Sequence, residues 1–518
     1  MMLLIFPPER TRFYQLPSID HWNRLYEVTA FDYLILVPYL SILCILAAYG
    51  IHRYHLVYLY LKHKDNAAPP KTKLPVQPHV TVQLPIYNEL YVVERLVEAA
   101  CKIRYPRELL EIQVLDDSTD GTVEIAAACV AKYRDLGFDI HHIHRANRSG
   151  FKAGALENGL KLASGEFIAI FDADFIPPET FLEDVVDYFG DSQIGMVQTR
   201  WGHINREYSV LTQVESVLLD GHFMIEHGGR HRSGRFFNFN GTAGIWRRTA
   251  IESAGGWQHD TLTEDTDLSY RAQMIGWKFL YLPNVVCPAE LPVEMNSFKT
   301  QQARWAKGLV QTAIKLLPRI MRSELPWKIK IEAFFHLTAN ISYPLMIALA
   351  FLLLPAMIVR FNQGWFQMLY IDLPLWLAST ASVSMFYLIS QKELYPDWRL
   401  RLRYIPFLMS LGIGMSVSNS KAVIEAFLGI QTGFKRTPKY RIENKTDRWV
   451  TKKYLRRTGV MPLFELSLGA YFALVVLYAF TNKNYPTIPF LMLFVVGFTY
   501  MGLMSILHMT LHRWLKGL

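Results

Sequence analysis

The sequence predicts an α/β domain with a mostly parallel sheet, inserted between transmembrane α-helices, and three observations carry that expectation. Apolar runs long enough to cross a hydrocarbon core of about 30 Å flank a stretch of mixed polarity over residues 80–311. Inside that stretch, strand-like runs alternate with helical patterns, the arrangement of a parallel sheet covered on both faces. Two acidic motifs, Asp116-Asp117-Ser118 and Asp172-Ala173-Asp174, directly follow strand-like runs, where open α/β sheets bind ligands.

The first apolar run, residues 31–50, carries one charge, Asp32 at its edge. It starts late, is too long for the core of a signal peptide and lacks a small-residue exit, so a retained span is expected. Residues 66–78, rich in proline and lysine, read as a linker. Strands are expected at 80–84, 112–115, 140–144 and 167–171, and helices at 89–101, 122–133 and 153–162. Further spans are expected at 333–359, 373–389, 462–480 and 488–507.

The net charge of +9 is concentrated in residues 435–457, which hold ten Lys and Arg against Glu443 and Asp447. Between apolar runs, such a block follows the positive-inside rule and argues against a nucleic-acid partner. It is therefore expected in the cytoplasm, at the surface of a multi-pass cell-membrane protein. Two spans separate it from the mixed-polarity domain, which is then cytoplasmic as well. Residues 1–30 would lie outside and the tail from His508 inside. Residues 406–430 are apolar but basic on both flanks, which suggests a helix in the interface or a re-entrant one packed on protein, the interfacial reading being favoured over a crossing. The four cysteines are scattered without metal-ligand spacing and read as buried thiols.

Each motif has a bland reading beside a chemical one. Ser118, Thr119 or Asp120 suit helix caps. Asp172 and Asp174 are either solvated carboxylates or hard oxygen ligands for Mg²⁺ or Mn²⁺ bridged to phosphates. Thr263-Glu264-Asp265-Thr266-Asp267 places three carboxylates where they favour a helix N-terminus, or where one acts as a base. Gln301, Arg304 and Trp305 sit on an amphipathic helix near the next span, as an interfacial anchor or as a sugar platform. His222, His227 and His231, near Arg230, Arg232 and Arg235, lack a second ligand set and are expected in a solvated interfacial or acceptor-facing segment.

The order of these motifs resembles that of the family 2 glycosyltransferases of the cellulose-synthase superfamily, with the nearest likeness to cellulose synthase-like β-glycan synthases of the mannan and glucomannan type. The likeness runs from about residue 78 to a gating-loop-like segment at 434–439. It implies a nucleotide-sugar-binding, GT-A-like domain. Pro85, Tyr87, Asn88, Glu89, Asp116 and Asp117 would meet the donor nucleoside, and Lys152 its diphosphate. Asp172 and Asp174 would hold the metal. By the same resemblance Asp265 is the general base of an inverting transfer. Glu264, Gln301, Arg304 and Trp305 would serve the acceptor and diphosphate, and Thr437 and Lys439 would reach the nucleotide.

Domain limits follow: an extracytoplasmic segment 1–30, a first helix with its exit 31–65, the linker 66–78 and the catalytic domain 79–325. Membrane and interfacial helices fill 326–518, with a basic gating-like loop at 431–458. Two features depart from bacterial cellulose synthases. Phe237-Asn238-Phe239-Asn240-Gly241-Thr242 replaces their cysteine-containing acceptor segment, and little chain follows the last apolar run to hold a cyclic-dinucleotide-sensing barrel. The expected partners are a nucleotide sugar, GDP-mannose or UDP-glucose, membrane lipids, and a growing β-1,4-mannan or β-glucan. The alternatives are a diacylglycerol- or ceramide-type lipid acceptor and, from another class, a silent scaffold or transporter.

Overall fold

The computed structural model of the chain describes residues 30–66, 70–361, 373–433, 436–454 and 459–516. The expected segment 1–30, except Ala30, and Phe434 and Lys435 of the gating-like loop lie outside the described residues.

Seven strands form one sheet in the order β3-β2-β1-β4-β6-β5-β7. They are β1 (Val80–Ile86), β2 (Leu110–Asp116), β3 (Asp139–His144), β4 (Phe167–Ile170), β5 (Ile194–His203), β6 (Gly244–Arg247) and β7 (Lys278–Ala289). Strands β3, β2, β1 and β4 run parallel, and β5 runs parallel to β7. Strand β6 is antiparallel to both β4 and β5, so the sheet is mixed with mostly parallel strands. The helices at Val93–Cys101, Thr122–Asp135 and Phe151–Leu162 fill the connections the sequence pattern assigned to helices.

Two cores follow from the period-2 alternation of side chains across the sheet. Val80, Val82, Leu84 and Ile86 point into one, with Leu96, Val97 and Val130 of the covering helices. Ile168, Ile170, Met196 and Trp246 point into the other, with Leu156, Leu160 and Leu268. Hydrogen bonds link polar side chains of adjacent strands: Gln83 Nε2 donates to Gln113 Oε1 at 3.1 Å, and the Thr81 hydroxyl to Glu111 at 2.7 Å. Buried polar atoms without such partners would cost about 1–3 kcal/mol each.

Five helices are long and apolar enough to cross a membrane among the described residues: Ala30–His63, Trp327–Val359, Trp398–Phe427, Met461–Thr481 and Tyr485–His512. Leu34, Val37, Leu474, Leu477, Leu503 and Leu507 are exposed on them, as lipid-facing side chains are. Of residues 406–430, those to Phe427 belong to a helix, Ile405–Phe427, most of whose residues are buried against protein. Its Ser410, Ser416, Ser418 and Asn419 find room there because they face protein. The 373–389 run is helical across a π-turn at Leu377–Ala381 but is not one of the five. Cys44 is exposed on the first helix, contrary to expectation, while Cys101, Cys129 and Cys287 are buried.

Candidate active site

The carboxyl ends of β1, β2 and β4 open into a cleft continuous with solvent. Pro85, Tyr87 and Glu89 enter it after β1, Asp117 after β2, and Asp172 and Asp174 after β4. Lys152 arrives from the first turn of the Phe151–Leu162 helix, and Glu264 and Asp265 from the first turn of Glu264–Met274. Gln301, Arg304 and Trp305 share one face of the Met295–Arg322 helix at i, i+3 and i+4 spacing. That face lies tight against the acidic motif because Gly308, one turn on, has no side chain. A Cβ there would stand 2.6 Å from Thr263 Cγ2.

Thr437 and Lys439 reach the cleft from a strap, residues 436–454, folded onto the domain. The strap is pinned at several points. Arg436 Nε and a terminal nitrogen grip both oxygens of Glu89 at 2.9 and 3.0 Å. Lys439 Nζ meets Asp174 at 2.5 Å, Arg95 meets Glu443 at 2.9 Å, and the Tyr454 hydroxyl donates to Asp120. Among the described residues, the Thr437 hydroxyl, buried at the cleft wall, has no hydrogen-bond partner, nor has Gln301 Oε1. Both are polar atoms left for a ligand.

Burial, then the charge of neighbouring Glu264, pushes the Asp265 carboxyl up to about 7, although Lys152 opposes the shift. A carboxylate so placed titrates near neutrality, as a general base must. Gly241 lies against it with φ +80°, and a Cβ there would stand 3.0 Å from Asp265 Oδ2 and 3.3 Å from Lys152 Nζ. Lys152 Nζ bridges the Gly241 carbonyl at 2.9 Å and Asp172 at 2.5 Å.

Asp172 and Asp174 each hold an ammonium at 2.5 Å, that of Lys152 and of Lys439. No group of three or more His, Cys, Asp or Glu side chains converges as a metal cage among the described residues. The two carboxylates still fit Mg²⁺ or Mn²⁺. Such an ion takes hard oxygen ligands, and Mg²⁺ sites commonly use one or two carboxylates with phosphate oxygens and water. The two lysines already mark the positions as cation-seeking.

Two sequence expectations change. Asp116 does not line the cleft: its side chain is fully buried, receiving Ser118 N at 2.8 Å and facing His142 Nε2 at 2.9 Å. Burial pushes its carboxyl up, but the His142 and Ser118 hydrogen bonds outweigh this and hold it below its usual value. It braces the turn that presents Asp117, whose two oxygens are gripped by Arg145 at 2.8 and 2.6 Å. The histidine segment, expected as solvated interfacial or acceptor-facing, is only partly exposed: His222, His231, Arg232 and Arg235 are half-buried, and His227 and Arg230 are buried where it packs between the sheet domain and the helices at Ala30–His63 and Trp327–Thr338. Cleft residues absent from the sequence reading are Arg148, whose guanidinium lies 3.3 Å from the Tyr87 ring centroid, Trp201 and Leu262. Arg148 had one signal: it follows β3, at the same sheet edge as the acidic motifs.

Residues 78–308 match a family model described as "Glycosyltransferase like family 2". The chain is 42% identical over 237 residues to "Probable glucomannan 4-beta-mannosyltransferase 7" of Oryza sativa subsp. japonica, covering 45% of this chain and 40% of that protein. It is 42% identical over 253 residues to "Glucomannan 4-beta-mannosyltransferase 2" of Arabidopsis thaliana, covering 48% and 47%. The matched region thus spans about half the length of these relatives. Among solved structures, the mannosyltransferase PcManGT from Pyrobaculum calidifontis, in complex with GDP-Man and Mn²⁺, superposes with a TM-score of 0.50. It shares 20% identity and covers 76% of this chain and all of that one, a likeness of fold.

Proposed function

We infer, from the premise that residues 78–308 are a family 2 glycosyltransferase domain, that the protein is an inverting membrane hexosyltransferase elongating a β-1,4-linked mannan or glucomannan. The observation that carries this reading is the convergence of four separated motifs on one cleft: Asp172 and Asp174, Asp265, Arg304 and Trp305, and Thr437 and Lys439. The names of the relatives support mannose as the sugar, and hence GDP-mannose as the donor.

In the proposed mechanism, Tyr87, Asp117 and Arg148 hold the nucleoside at the carboxyl ends of β1 and β2. Lys152, Arg304 and Lys439 supply positive charge to the diphosphate, whose negative charge grows as it departs. Asp172 and Asp174 would hold a divalent cation, which supplies Lewis-acid neutralisation of that leaving group. Trp305 offers an aromatic face to the acceptor's terminal sugar. Asp265 takes the proton from the acceptor hydroxyl as its oxygen forms a bond to the anomeric carbon. The bond from that carbon to the phosphate oxygen breaks on the opposite side, with inversion, and the nucleoside diphosphate leaves.

The strap is clamped to the catalytic domain, so both lie on one side of the membrane. Trp327–Val359 and Trp398–Phe427, two of the five long apolar helices, lie between them in the sequence, an even number that supports this placement. The basic residues of the strap support the cytoplasmic side. Export of the product through the helix bundle completes the reading.

The test is transfer from labelled GDP-mannose and UDP-glucose by the lipid-reconstituted protein, with product sizing. A long product cut by endo-β-mannanase is expected. A single sugar moving with the lipid fraction would replace the polysaccharide reading with a lipid acceptor.

A further inference from the structure

The wall of the cleft beside Asp265 leads from Asn240 into a hydrogen-bonded chain through the histidine segment. Residues His222–His227 form a π-turn between the helices Val210–Gly221 and Gly228–Arg232. Single π-turns inside α-helices are uncommon and concentrate at functional sites. This one places His222 Nδ1 at 2.7 Å from Glu226 Oε2 and His222 Nε2 at 2.8 Å from Asn240 Nδ2.

Burial opposes ionisation of Glu226, but Arg230 and His222 outweigh it and hold the carboxyl well below its usual range. Arg230 is anchored in turn on Glu332 at 2.8 Å. An ionised carboxylate only accepts, so His222 Nδ1–H donates to Glu226. Asn240 turns its Nδ2 to His222 Nε2, while its Oδ1 faces the Asn238 amide nitrogen at 3.4 Å. The Asn240 backbone N–H is held by Gln198 Oε1 at 2.9 Å. Asn240 lines the cleft and precedes Gly241, the residue pressed against Asp265.

We propose that His222 is a positioning residue for the glycan acceptor: it orients the amide of Asn240, which hydrogen-bonds a hydroxyl of the acceptor sugar beside Asp265. A primary amide with one N–H engaged by His222 offers a second N–H, and pairs with sugar hydroxyls as donor and acceptor. His222 acts only through Asn240. This rests on the transferase reading of the preceding subsection.

The test is a double-mutant cycle on the reconstituted full chain, with manno-oligosaccharide acceptors and GDP-mannose. Asn240→Ala and His222→Phe should each raise the acceptor KM by roughly tenfold, the worth of one hydrogen bond, with the donor KM unchanged. The double variant should be no worse than Asn240→Ala, and His222→Gln, whose amide oxygen can accept, should recover most of the loss. Additive losses, or an unchanged acceptor KM in His222→Phe, would overturn the inference. Should His222→Phe also lose donor binding, a sign of damaged folding, the conservative His222→Gln carries the test, and a tenfold loss there overturns the proposal. Unmodified protein that transfers no sugar to any glycan would overturn the transferase-to-glycan reading itself, and this inference with it.

Discussion

Arg436 holds Glu89 by both carboxylate oxygens, at 2.9 and 3.0 Å, across 347 residues of sequence. The guanidinium also lies over the Tyr454 ring, 4.3 Å from its centroid, so the strap is latched to the edge of the cleft beside Tyr87. The planar fork is what makes the latch: two parallel hydrogen bonds fix its angle as well as its distance.

Arg436→Lys keeps the charge and loses the fork. The donor KM is expected to rise by about tenfold, with hydrogen exchange across residues 436–454 faster than in the unmodified protein. An unchanged donor KM would mean that the strap is held by its other contacts alone.

Asp265 is held at about 7 by burial and by Glu264, so its basic form is lost as pH falls through that value. Transfer should therefore decline by about tenfold for each pH unit below 7 and level off above it. Asp265→Asn should lower kcat by about a thousandfold while leaving donor affinity, measured by calorimetry, nearly unchanged.

Chelation should stop transfer, and Mg²⁺ or Mn²⁺ should restore it. In Asp174→Asn the metal concentration for half-maximal rate should rise by at least about tenfold, because one of two protein ligands is weakened. Full activity in excess chelator would remove the metal from the scheme and leave Lys152 and Lys439 as the sole countercharges.

Gly241→Ala meets two obstacles, a backbone at φ +80° and a Cβ 3.0 Å from Asp265 Oδ2. The strain is about 1 kcal/mol or more, and the base moves from its position. A fall in kcat of about a hundredfold is expected, with a melting temperature only a few degrees lower. Gly308, which faces Thr263, is the control for crowding from the opposite side of the same motif.

Much of this was legible along the chain. The alternation of strands and helices located β1 to β4, and the acidic motifs fell at strand ends because open sheets present those ends to ligands. Asp117, Asp172, Asp174, Asp265, Arg304 and Trp305 all reach the cleft. Asp116 and Asp117 are adjacent, yet only the second does so. Along a strand, successive side chains take opposite faces, and which face becomes the cleft is decided by what packs behind, here His142.

What the sequence by itself determined is local: where the strands end, which runs are apolar enough for a membrane, and which residue types stand at the sheet edge. Periodicity and composition act over a few neighbouring residues, so they can be read without the fold. Only the tertiary structure decided that β6 enters the sheet antiparallel, that Ile405–Phe427 is mostly buried against protein, and that Arg436 meets Glu89 and His222 meets Asn240. Those contacts join residues tens to hundreds of positions apart. Their partners are chosen by packing and charge in three dimensions, and nothing in the spacing along the chain encodes them.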